Sequence, residues 1–265
     1  MKRSMTSIRN WGTFVSSSRS FFDANRGSPL FQLIQSLDQL YQVAHASVPF
    51  PKTGVERDEF LHKCFALCHW SMLAAATNTG SGLPEDGPGI TRRALEAAKV
   101  CVAIKADPAN FEEWRASEQR SARWSARAAG HKPKGPPVSP QYKNVSANPF
   151  YQEIQALIGV LSDAAVHFTP EHFGLYIWEQ TLNQDGSVDI SLSIGENAVA
   201  YRLFQLIDQY LFIIRVFDHC LDGKLFTNGD IVRSARKVTD RLKELLVLEN
   251  LPDQAKLVER SGASC

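Results

Sequence analysis

The sequence predicts an all-α protein, a multi-helix bundle of six to seven helices with one inserted β-hairpin near residues 175–194. Apolar residues recur at spacings of three and four along most of the chain, which is the period of an amphipathic helix. A segment near 175–194 switches to a period of two, which is the period of a strand. Residues 196–221 are apolar on almost every side, which is typical of a helix buried at the centre of a fold.

The first predicted helix has Ser28 as its N-cap residue and Pro29 in its first turn. A second helix is expected from about 55 to 76, where a loop rich in glycine and proline follows. A third covers about 90–106 and stops at Asp107, and Pro108 begins a fourth. Two helices that meet at so short a joint should run antiparallel.

The region 131–148 holds four prolines in eight residues and predicts an exposed loop. A fifth helix follows from Pro149. Asp185 and Gly186 form the expected tight turn of the hairpin. The apolar helix comes next, and an amphipathic helix from Asp230 to about Leu248 ends the bundle.

The domain prediction follows from these elements. Residues 28–250 are expected to form one helical domain, because the chain after the proline-rich loop has too few helices to cover the central one. Residues 1–27 are a basic, serine-rich arm, either a flexible tail or a docking segment. Residues 251–265 are a polar tail.

The composition excludes some classes. A net charge of +1 with 44% hydrophobic residues gives no overall reason to expect nucleic acid or membrane as a partner. No apolar run approaches the roughly 20 residues that a membrane span requires. Five cysteines at no regular spacing indicate reduced thiols, so we expect a cytoplasmic protein.

The stretch LSDAAVHFTPEHFGLY, residues 161–176, gathers ionisable side chains at the end of the fifth helix. Asp163 and His167 are four residues apart and suit a solvated pair at a helix end. Together with His172 they also suit a divalent metal. The chain lacks an H-E-x-x-H helix and paired E-x-x-H units, so we predict no metal site and no cofactor.

The central helix carries charges on one arc of an otherwise apolar surface. Buried charges must find partners, so this arc is either a ladder of ion pairs or the wall of a ligand cleft. The candidate cleft residues are Arg93, Glu96, Asp163, His167, Asp208, Arg215, Asp218, His219 and Asp222.

Two helices present rows of basic residues that could follow a phosphate backbone. Solvated helix faces explain such rows equally well. The candidate nucleic-acid residues are Arg120, Arg123, Arg127, Arg233 and Lys237.

Two segments carry a resemblance to a known family. They are the R-x-L-E element with Arg93, Leu95 and Glu96, and a later Y-x(n)-S-x4-H element with Tyr151, Ser162 and His167. From about residue 68 to 176 the chain resembles bacterial all-helical domains of unknown function that share these elements. The resemblance implies an all-helical fold with no established activity, and it places Glu96 and His167 toward a common interior. The helical wheels instead put Glu96 in an exposed pair with Arg92 and His167 opposite the core stripe of the fifth helix.

The segment RDEFLH, from Arg57 to His62, is similar to the R-x4-6-H signature of the HEPN ribonucleases, which are helical bundles. That resemblance implies metal-independent RNA cleavage by Arg57 and His62 at a dimer interface.

The favoured functional interpretation is binding of a protein or a small ligand, without a recognisable catalytic centre. Self-association fits the same interpretation. The alternative is a HEPN-like ribonuclease or an RNA-binding effector. The sequence leaves both open.

Overall fold

The computed structural model describes residues 11–51, 54–117, 139–166, 176–182, 188–194 and 196–248. Within these ranges the chain has eight helical segments, so the predicted all-α bundle is confirmed and the predicted count of six to seven is too low. The helices are α1 (Trp11–Asn25), α2 (Pro29–Ser47), α3 (Glu56–Gly80), α4 (Asp86–Ala106), α5 (110–117), α6 (Pro149–Val166), α7 (Glu196–Cys220) and α8 (Gly229–Leu248).

The additional helix is α1, which lies in the region predicted as a basic arm. Its sequence is rich in serine and scattered charge, so no apolar pattern marks the pair of phenylalanines that packs this helix against the core. The Phe22 ring lies edge-on to Phe31 of α2 with 5.4 Å between centroids. Gly80 of α3 makes room for this contact, because a Cβ there would clash with the Phe31 ring.

Helix α2 begins as its sequence predicts. The Ser28 hydroxyl accepts a bond from the Phe31 amide at 3.4 Å, and Pro29 occupies the first turn. Its buried side packs against α3, α7 and α8. The Tyr41 hydroxyl donates to the Tyr210 carbonyl of α7 at 2.9 Å inside the core.

Helices α3 and α4 both extend into the loop predicted between them, and they pack against each other. Pro88 is tolerated because it stands in the first turn of α4, where its missing N–H would have no helical partner. Asn110 at the start of α5 then fixes the segment around Lys143 by hydrogen bonds. Its side-chain amide donates to the Ala103 and Lys143 carbonyls at 2.8 and 3.0 Å, and its oxygen accepts from the Lys143 amide.

Two strands follow α6. β1 (Tyr176–Leu182) and β2 (Val188–Ile194) pair antiparallel, with Tyr176 opposite Ile194 and Leu182 opposite Val188.

Helix α7 is the centre of the bundle, and it contacts α2, α3, α4 and α8. Most of its side chains from Ala198 to Cys220 are buried, as its all-round apolar sequence predicts. No helix in the described ranges combines the length and the hydropathy needed to cross a bilayer.

Candidate functional site

The charged arc of α7 does not form one cleft, because its members turn to different neighbours. The Asp218 carboxylate accepts the Phe226 amide at 2.9 Å and so caps the turn after α7. Asp222 is exposed at a positive φ of 61° and pairs with Lys105 of α4. Arg215 lies near Glu153 of α6, where its charge opposes the rise that burial causes in the Glu153 pKa.

His219 lies between these neighbours and is half-buried. Its ring is 5.0 Å from the Phe150 ring, and its Nε2 is 3.5 Å from the Asn148 amide nitrogen. Burial lowers its pKa, Lys105 lowers it further, and Asp218 opposes both. This end of the bundle therefore favours a neutral imidazole with structural neighbours.

Two predicted cleft residues of α4 are placed outside the interior. Arg93 is exposed, and Glu96 is exposed and accepts a bond from Arg92 at 3.0 Å. The buried side of α4 includes Ala94, Leu95 and Ala98, so both charges fall on the water-facing side. The expectation that Glu96 faces the interior is wrong. Asp208 is half-buried on α7 and has a partner.

The side chain of Asp163 and all of His167 lie outside the described residues, as do Glu171 and His172 of the same stretch. Among the residues that the structure does describe, no group of three His, Cys, Asp or Glu side chains is arranged to hold a metal ion.

Arg57 and His62, the HEPN-like pair, both form hydrogen bonds to Asp58 in the first turns of α3. The Arg57 guanidinium bonds the Asp58 carboxylate at 3.1 and 3.2 Å. His62 Nδ1 is 3.0 Å from the Asp58 carbonyl, so it is the protonated nitrogen. His62 Nε2 is buried and has no partner among the described residues. An imidazole turned inward is poorly placed to reach an RNA phosphate.

The face between α2 and α3 carries an additional histidine cluster. His69 Nε2 is 2.7 Å from the Asp38 carboxylate, and its ring stacks on Tyr41 with centroids 5.0 Å apart. The His45 ring lies 5.3 Å from His69 and 4.4 Å from Phe65. Burial, with His69 and His62 nearby, lowers the pKa of His45 to about 4.

A buried polar cavity is the first feature that sequence reasoning missed. Six polar residues are buried in the described part of the chain, and four of them line this one cavity. These four are Thr79 of α3, Thr91 of α4, and Arg202 and Gln209 of α7. The available signal was the spacing of Arg202, Gln205 and Gln209 at i, i+3 and i+7, a polar stripe on an apolar helix.

Arg202 is only 8% exposed, and its charge is compensated inside the fold. Its guanidinium donates to both carboxylate oxygens of Glu85, at 3.0 and 3.2 Å, and to Gln205 at 2.8 Å. Burying a cation without a partner costs roughly several kcal/mol of folding free energy, so the pairing with Glu85 is needed for the bundle to pack around Arg202.

The second feature is an open groove between α2 and α8 with a volume of about 630 Å³. Helix α2 contributes a neutral wall, and α8 contributes a charged one. Leu33 and Val238 lie beneath the groove and are buried, so the exposed apolar surface in its lining is that of Pro29. The lining residues are Pro29, Gln32, Leu33, Ser36, Arg233, Arg236, Lys237, Val238, Asp240, Arg241 and Glu244.

The cations of the groove differ in whether they form ion pairs. Arg233 pairs with Asp230, and Arg241 pairs with Glu244 at 2.7 Å. Arg236 and Lys237 are exposed and form no ion pair with a residue that the structure describes. Of the predicted nucleic-acid residues, Arg233 and Lys237 therefore meet in this groove, while Arg120, Arg123 and Arg127 lie outside the described residues.

The groove can attract and hold an anion. The exposed cations Arg236 and Lys237 supply the charge, while on the opposite wall the Gln32 amide donates to the Gly27 carbonyl and the Ser36 hydroxyl donates to the Gln32 carbonyl. The exposed ring of Pro29 and the aliphatic parts of the cationic side chains can cover a non-polar part of a ligand.

Comparison with known proteins adds no functional assignment, since no protein-family model, no curated protein and no solved structure matches this chain.

Proposed function

We propose that the protein acts by binding, and that the α2–α8 groove takes a small ligand that joins phosphate to an apolar ring. The observation that carries this proposal is the pair of exposed cations, Arg236 and Lys237, which form no ion pair with a described residue and share the groove with the exposed ring of Pro29. Small-molecule sites commonly have volumes of about 300–1,000 Å³ and combine apolar surface with a few polar groups. The groove fits both criteria.

A small ligand is favoured over a nucleic-acid strand by the charge pattern. Four cations line the groove, but Asp240 and Glu244 stand among them toward the far end of α8. A phosphate backbone carries regularly spaced charge and would meet these carboxylates. A compact anion can lie on the cations at the near end and avoid them.

The test measures binding by titration calorimetry with three probes at constant salt. Adenosine triphosphate carries both parts of the ligand class, inorganic triphosphate carries the charge alone, and adenosine carries the ring alone. We expect adenosine triphosphate to bind more tightly than either of the others. Equal affinity for the two triphosphates, or no binding at millimolar concentration, contradicts the proposal.

The site is located by the variant R236E/K237E, which should weaken adenosine triphosphate binding at least tenfold, roughly the effect expected for removing two charge-assisted contacts. Arg93→Glu is the matched control, because Arg93 is an exposed cation on α4, which does not line the groove. Its affinity should equal that of the wild type.

A fourth probe addresses the RNA alternative. A single-stranded oligoribonucleotide that binds more tightly than adenosine triphosphate, with an affinity that falls steeply with salt, would replace the small ligand by RNA. Cleavage of that strand, lost in Arg57→Ala or His62→Ala, would establish the HEPN-like activity instead.

A further inference from the structure

The cavity around Arg202 contains buried polar atoms that the protein itself does not satisfy. Thr79 Oγ1 and Arg202 Nε both lack a hydrogen-bond partner among the described residues, and both are shielded from solvent. Thr79 is fully buried and Arg202 is more than nine-tenths buried. A buried polar atom that loses water without gaining a hydrogen-bond partner destabilises the fold. Two of them beside one cavity therefore indicate a polar occupant.

The dimensions of the cavity determine what that occupant is. Its volume is about 10 Å³, close to the smallest space that holds one water molecule. A phosphate or a larger anion does not fit. The Arg202 charge is also already neutralised by Glu85, so a second anion has no electrostatic reason to enter.

Gly87 keeps this space open. A Cβ at this position would lie 2.7 Å from Thr79 Oγ1, closer than side-chain atoms pack. The first turn of α4 therefore approaches the Thr79 hydroxyl without covering it. Pro88, the next residue, lines the cavity and has no N–H that could bond the hydroxyl in place of a water.

We propose that the cavity is a binding site for one structural water molecule, which accepts from Arg202 Nε and bonds the Thr79 hydroxyl. These two contacts supply two of the two to four hydrogen bonds that buried waters typically make. The water links α3 to α7 at the point where α4 begins. It also completes the set of partners that holds the Arg202 guanidinium against Glu85.

The test counts long-lived internal waters in solution by ¹⁷O magnetic relaxation dispersion. Thr79→Val keeps the shape of the side chain and removes the hydroxyl, so the count should fall by one. Thr79→Ser keeps the hydroxyl and should keep the wild-type count. Thr77→Val is the matched control, because the Thr77 hydroxyl bonds the Leu73 carbonyl on the exposed side of the same helix.

An unchanged count in Thr79→Val overturns the proposal. So does a high-resolution crystal structure of the wild-type chain in which Arg202 Nε bonds a protein atom or the cavity is dry. Ordered solvent between Thr79 and Arg202 in the wild type, absent in Thr79→Val, supports it.

Discussion

Helices α7 and α8 both carry polar residues, but α7 turns some of them into the bundle and α8 turns them toward solvent. Helix α7 is surrounded by α2, α3, α4 and α8, and it turns Arg202 and Gln209 inward. Helix α8 packs mainly against α2 and leaves Arg236 and Lys237 in water. A cation inside the bundle must have a fixed partner, whereas a cation on its surface stays available for a ligand. The comparison teaches that the buried polar site holds the fold together and the exposed one is where binding is expected.

The largest effect on stability should come from Arg202→Met. The substitution leaves the partly buried Glu85 carboxylate without its guanidinium partner, and breaking such a pair costs about 3 kcal/mol or more. Urea unfolding followed by circular dichroism measures the loss. Arg93→Met removes an exposed charge and should stay within about 0.5 kcal/mol of the wild type. A loss below about 1 kcal/mol in Arg202→Met would mean that the ion pair does not hold α7 in place.

A smaller loss is expected from Tyr41→Phe, which probes how α7 is joined to α2. It removes one buried hydrogen bond to the Tyr210 carbonyl, and we expect a loss of about 1 kcal/mol in the unfolding free energy. Tyr201→Phe is the control on α7, because its hydroxyl is only partly buried and bonds the Gln205 side chain. A loss in Tyr201→Phe that equals or exceeds the loss in Tyr41→Phe would contradict the ranking of buried over surface contacts.

A still smaller effect should appear as a pH dependence from His45. Its pKa is lowered to about 4 in the fold by burial beside His69 and His62, while an unfolded histidine titrates near pH 6.5, roughly. Between these values the unfolded chain binds more protons, so stability falls as the pH drops from about 6.5 toward 4. Partial exposure of His45 reduces the size of the effect.

Urea midpoints at pH 7.5 and pH 5 measure this dependence. His45→Gln should show a smaller difference between the two pH values than the wild type. Some dependence should persist, because His219 has a lowered pKa and contributes with the same sign. An identical pH dependence in His45→Gln and the wild type would remove His45 as its source.

The smallest effect on stability should come from R236S/K237S on α8. Both side chains are exposed and form no ion pair with a described residue, so the unfolding free energy should change by about 0.5 kcal/mol or less. The same variant should weaken adenosine triphosphate binding. A stability loss comparable to that of Arg202→Met would show that these cations are structural and would end the distinction between α7 and α8.

Much of the helical order could be predicted because its signals are local. Ser28 and Pro29 start α2, and the amphipathic pattern after Asp230 defines α8 almost to the residue. Helix α1 was missed because serines and charges dominate its sequence, while its packing through Phe22 depends on Phe31 and Gly80 elsewhere in the chain. Such contacts carry no local periodicity.

The candidate sites were less accessible from the sequence. The charged arc of α7 was found, but the helix wheel does not tell which neighbour each charge meets, and Asp218 and Asp222 turned to a loop and to α4. The cavity was missed because Thr79, Thr91 and Arg202 belong to three helices. The groove was predicted only in part. Arg233 and Lys237 were identified as exposed cations, but the α2 residues that form its neutral wall were not identified.

The sequence by itself determined which segments are helical, that residues 196–221 lie at the centre, and which helix faces carry charge, because these properties depend on neighbours within a few turns. Only the tertiary structure decided that Arg202 meets Glu85 inside the bundle while Arg236 stays in water. The physical reason is that burial depends on which helices surround a side chain. Arg202 and Arg236 therefore differ in role because neighbouring helices enclose the first and leave the second exposed.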